Sequence, residues 1–97
     1  MASTKDYLTY VLDLLREIDG ITYKPMMGEF LLYKDGVLFG GVYDNRFLVK
    51  QTKSMSGKNM AEQIPYPGAR PMYLVDEESP SAVKELVLSI YKDLAKR

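Results

Sequence analysis

Six polar residues in one stretch, Lys24, Glu29, Tyr33, Asp44, Arg46 and Lys50, are the side chains of this sequence best suited to chemistry. Three cations, two carboxylates and a phenol on neighbouring strands would suit a small polar ligand. Acid/base catalysis would further require Glu29 and Asp44 to face each other in a cleft at a set spacing. An Arg46–Glu29 pair across a sheet would order one end of such a pocket. In the plainer arrangement Asp44 closes an Asx-type turn on nearby backbone N–H groups and Arg46 is solvated. Arg46, Lys50, Lys53 and Lys58 form a local basic surplus beside a Ser/Gly-rich loop, a pattern that fits anion contact and equally fits charges that keep an edge strand soluble.

Other chemistry is scarce. The chain has no His and no Cys, which removes the usual acid/base at physiological pH, Ser-His triads, thiol nucleophiles and most transition-metal sites. Asp35, Asp44 and Glu29 are too sparse for a hard cation, and no metal or cofactor is expected. Ser81-Ala-Val-Lys84 matches Ser-x-x-Lys only in letters and opens an amphipathic helix. Ser56-Gly57-Lys58 lacks the earlier glycine of a phosphate loop, Thr52 standing there, and Asn59 replaces the magnesium-binding hydroxyl. No enzyme is expected. The two classes left are an interaction module and a small-ligand site built on the six residues above.

Thirteen Lys and Arg balance thirteen Asp and Glu, which disfavours a nucleic-acid binder that depends on phosphate contacts. No apolar run approaches the roughly 20 residues that span a bilayer, and the N-terminus has no hydrophobic signal core. The expected location is cytoplasmic. Ninety-seven residues, 46% of them hydrophobic, suit one domain over 1–97 with one core.

Periodicity predicts the elements that position these residues. Tyr7, Leu8, Val11, Leu12, Leu14, Leu15 and Ile18 recur at helical spacing, predicting a helix over Thr4–Ile18 with Gly20 as its left-handed cap. Tyr23–Met27 contains Pro25 and reads as an edge strand or lead-in. Glu29–Lys34 and Val37–Tyr43 flank a two-residue turn at Asp35-Gly36, and a second reversal at Asp44-Asn45 leads to a strand over Arg46–Gln51. Thr52–Arg70 is irregular, with a short helix expected at Asn59–Gln63. Pro71–Asp76 reads as a fifth strand, and Pro80–Lys96 as a closing helix capped by Ser79. The fold class is α+β, α-β(4–5)-α, an antiparallel sheet flanked by N- and C-terminal helices.

Simple alternation puts Leu31, Tyr33, Leu38, Gly40 and Val42 on one sheet face and Phe30, Leu32, Val37, Phe39 and Tyr43 on the other. Neither face is polar, so both need cover, from two helices on opposite faces or from two helices on one face and a partner subunit on the other. Gly40-Gly41 marks a bulge, a bend or a close approach of another chain segment.

The run from Lys24 to Lys50 resembles the TfoX N-terminal domain family. The matching positions are Met26, Met27, Gly28 and Glu29, then Tyr33 before an Asp-Gly turn, then Asp44, Arg46, Leu48 and Lys50. The resemblance implies a bacterial, secretion-chaperone-like α+β fold, a homodimer and a regulatory role linked to competence, here as a stand-alone N-terminal domain. It defines no reaction.

Overall fold

The computed structural model describes residues 3–55 and 60–95. Helix α1 spans Lys5–Leu14 and starts at Thr4, whose Oγ1 accepts the Tyr7 N–H at 3.1 Å, with Asp6 in the first turn. Both features satisfy or complement exposed N–H groups at a helix start. The regular helix is shorter than the predicted Thr4–Ile18. The N–H groups of Leu15, Arg16 and Ile18 reach carbonyls three residues back, a tighter winding that still buries Leu15 and Ile18. Gly20 does not cap the helix. Its φ of +79° turns the chain into the sheet, and its carbonyl accepts the Asp35 N–H.

Among the described residues six antiparallel strands follow: β1 Ile21–Met26, β2 Glu29–Lys34, β3 Val37–Val42, β4 Phe47–Val49, β5 Glu62–Gln63 and β6 Met72–Leu74, in spatial order β1-β2-β3-β4-β6-β5. Helix α2, Pro80–Ala95, closes the described chain; Lys96, expected to end it, lies outside the described residues. The helix expected at Asn59–Gln63 is not formed at its described end, because Glu62 and Gln63 pair with Tyr73 and Met72. Asn59 itself is outside the described residues.

Three two-residue turns fold β1 to β4. Met27 and Gly28, Asp35 and Gly36, and Asp44 and Asn45 all have φ between 50° and 85°, the conformation whose twist suits a two-residue hairpin. The turn at Met27-Gly28 makes β1 a full partner of β2, with Met26 opposite Glu29 and Ile21 opposite Lys34. Lys24 and Met26 fall in the bonded pairs of this ladder. Pro25 therefore sits where its missing N–H faces the free edge.

A bulge decides which side chains meet. Tyr33 lies opposite Leu38, as the turn length predicts, but Leu32 lies opposite Gly40 rather than Phe39. Phe39 is the extra residue, and beyond it the alternation of β3 reverses. Val42 joins Phe30, Leu32, Phe39, Phe47 and Val49 in the core, while Tyr43 moves to the opposite face with Leu31, Tyr33 and Leu38. This overturns the simple face assignment for Gly40, Val42 and Tyr43. A Cβ on Gly40 would run into the backbone of β4, at Leu48 O and Val49 Cα, so the glycine pair marks close strand approach as well as the bulge.

Both helices pack on one face. Leu8, Val11 and Leu14 of α1 and Val83, Leu86, Val87 and Ile90 of α2 share one buried cluster with that face. Lys34 closes the end of this layer: only 9% exposed, its Nζ donates to Asp19 O and the Asp35 carboxylate, each at 2.8 Å, and lies 5.2 Å from the Tyr91 ring centroid.

Candidate functional site

The face away from the helices is the open one. Met26, Leu31, Tyr33 and Leu38 stand on it partly exposed, and Tyr43 and Leu48 are buried. Between Gln63 and Met72 the chain crosses part of this face as a strap, enclosing a groove of about 710 Å³. Its floor includes Leu31, Leu38 and Tyr43, its wall Pro65, Tyr66 and Ala69, and its charged lining residues among those described are Lys50 and Arg70.

Gly41 shapes the floor. A Cβ there would lie 2.7 Å from Tyr43 Cε2, so the absent side chain lets the Tyr43 ring lie close against the sheet. That ring packs tilted against Tyr66, with centroids 6.2 Å apart. Burial pushes the Tyr43 phenol above its ordinary value, and the nearby ionisable groups of Tyr66, Glu29 and Tyr33 add to the rise.

The strap is held by Arg46. Its Nε donates to Tyr43 O at 3.1 Å and its NH1 to Gln63 Oε1 at 2.8 Å, while NH2 reaches the carbonyls of Ile64 and Pro65 at 3.3 and 3.4 Å. A planar guanidinium is suited to several acceptors at once. Arg46 is thus neither solvated nor paired with Glu29, which corrects both arrangements expected for it.

Glu29 serves a different junction. Its Oε1 accepts from Ser3 Oγ at 2.6 Å and from the Asp44 N–H at 3.1 Å. Ser3 Oγ in turn accepts the Asn45 N–H at 3.0 Å, and Asn45 Oδ1 accepts the Thr4 N–H at 2.9 Å. This network ties the start of α1 to the β1–β2 and β3–β4 turns. The Arg46 N–H, which the expected Asx turn would give to the Asp44 carboxylate, goes instead to Tyr43 O at 3.0 Å.

The six predicted site residues consequently separate. Glu29 and Asp44 meet at the N-terminal junction, Arg46 anchors the strap, and Lys24 is exposed on β1. Tyr33 stands on the open face and Lys50 lines the groove. Lys53 is exposed in the 3₁₀ turn Lys53–Met55, and Lys58 lies outside the described residues. Among the described residues no group of three His, Cys, Asp or Glu could hold a metal ion, and no helix is long and apolar enough to cross a membrane.

No family model matches the chain. A protein of Spirochaeta aurantia, described as an uncharacterized 12.7 kDa protein in the trpE 5' region, is 33% identical over 87 residues, covering 82% of this chain and 74% of that protein. The chain belongs to that protein's family.

Sequence reasoning missed Tyr43, Tyr66 and Arg70. The signal for Tyr66 was its setting, an aromatic between Pro65 and Pro67 in an irregular segment. Such a residue has no helix or strand of its own to pack in, and it is free to reach across to another element.

Proposed function

We propose that the chain is a non-enzymatic regulatory or protein-interaction module of the TfoX N-terminal type, cytoplasmic, whose working surface is the open sheet face. The carrying observation is that both helices cover one face while Met26, Leu31, Tyr33 and Leu38 remain partly exposed on the other. A sheet face left open on a small domain with several apolar side chains on it is a typical place for a partner. The Lys24–Lys50 string supports the competence-related regulatory setting. Of the polar groups that an enzyme of this sequence would have used, Glu29 holds the N-terminal junction and Arg46 the strap.

The proposed partner is a second copy of the chain, seated on the β1–β2 half of the face. Pairing through the free edge of β1 is opposed by Pro25, which withdraws a donor, and by the exposed Lys24. Sedimentation velocity at tens of micromolar tests this. A dimer is expected, and Tyr33→Glu, outside the groove lining, should return it to monomer with the helical and strand signal intact. A monomeric parent chain would sink the dimer.

A further inference from the structure

We propose that the strap end of the groove binds a small organic anion with a flat apolar body, its charge held by Lys50 and Arg70 and its body lying against Tyr43 and Tyr66. The inference rests on the reading of the open face as the working surface, and it assigns the strap-covered part of that face an occupant of its own. The groove's volume of about 710 Å³ falls within the roughly 300–1,000 Å³ of small-molecule sites. Its lining combines apolar side chains with two tyrosines in ring contact, one buried and one 51% exposed. Two such rings at a groove wall offer a planar ligand one fixed and one adjustable surface.

Charge selects the ligand class. Among the described residues Lys50 and Arg70 contribute the lining's charge, and no carboxylate lines the groove. Neither side chain has a hydrogen bond or ion pair among the described residues. In a chain whose charges otherwise balance, a groove of mixed lining that carries two tyrosines and two unneutralised cations is complementary to an amphipathic anion and poorly matched to a cationic one. Arg46 acts here as a positioning residue, because its bonds to Gln63, Ile64 and Pro65 hold the wall that carries Tyr66.

The experiment is an NMR titration of the isotopically labelled chain with naphthalene carboxylate and, separately, with its neutral carboxamide. The carboxylate should give saturable shifts at the amides of Leu38, Tyr43, Tyr66 and Arg70. It should bind at least about tenfold more tightly than the carboxamide, the effect of one good charge-assisted contact. Lys50→Gln with Arg70→Gln should abolish that preference and leave carboxamide binding unchanged. Should the double variant fail to fold, the exposed Arg70→Gln alone serves the same comparison. Equal binding of the two probes, shifts confined to other surfaces, or a preference that survives the substitutions would overturn the proposal. A dimer that ignores the carboxylate removes this inference alone, whereas a monomer that binds it removes only the dimer.

Discussion

Arg46 NH1 donates to Gln63 Oε1 at 2.8 Å, joining the residue just after the β3–β4 turn to the short strand that begins the strap. The two are 17 residues apart in sequence, so this side-chain bond sets where Pro65 and Tyr66 lie over the sheet. A double-mutant cycle of Arg46→Ala and Gln63→Ala should give coupling of about 0.5–1.5 kcal/mol. The same cycle with Glu29→Ala should be additive within about 0.5 kcal/mol, since the two side chains serve different junctions. Urea unfolding of the variants measures both. Coupling of Arg46 to Glu29 instead would contradict the geometry.

Gly40 and Gly36 should respond differently to substitution. Gly40→Ala places a methyl against Leu48 O and Val49 Cα on the neighbouring strand, and overpacking against backbone should destabilise by about 2–3 kcal/mol or more. Gly36 has φ +81°, but a Cβ there would meet nothing within 4 Å. Gly36→Asn keeps a residue that tolerates the left-handed region and should cost less than about 1 kcal/mol. Denaturant midpoints of the two variants rank the effects, and equal losses would refute the close-approach reading.

Met27 is 96% exposed and holds φ at 51°. A side chain with no packing in a left-handed conformation carries a penalty of about 1–2 kcal/mol. Met27→Asn, which suits the first position of this turn, should raise stability by roughly 0.5–1 kcal/mol. Thermal unfolding checks it; a lower melting temperature would mean that Met27 contributes a contact the fold needs.

Stability should fall on the alkaline side. Burial is the main cause that raises the phenols of both Tyr43 and Tyr7, followed by Tyr66, Glu29 and Tyr33 for the first and by Tyr10 for the second; a backbone hydrogen bond at Phe47 partly offsets the rise for Tyr7. Each folded pKa thus lies above the unfolded value of about 10.0. The contribution is fully present below that value, because both states then hold the proton. It is lost as pH rises from 10 through the folded pKa, where the unfolded chain ionises first. Tyr43→Phe should flatten this loss when denaturant midpoints are compared at neutral pH and above 10. An unchanged slope would show that Tyr43 is solvated.

The elements were legible in the sequence where local physics decides them. The apolar spacing of Leu8, Val11, Val83 and Val87 requires amphipathic helices, and Asp35-Gly36 and Asp44-Asn45 permit the positive φ of two-residue turns. The doubly apolar strands left open whether two helices cover opposite faces or one, and the fold puts both on one. Three things depended on contacts distant in sequence. The bulge at Phe39 exchanges the faces of Val42 and Tyr43, and beside it β4 packs too close to Gly40 for any side chain. Arg46 finds Gln63 because β5 pairs with β6 and folds the strap back over the sheet. Lys50 and Arg70 line one groove for the same reason. Periodicity records which side chains alternate along a strand, but register, bulges and strap position depend on partners that only the folded chain brings together.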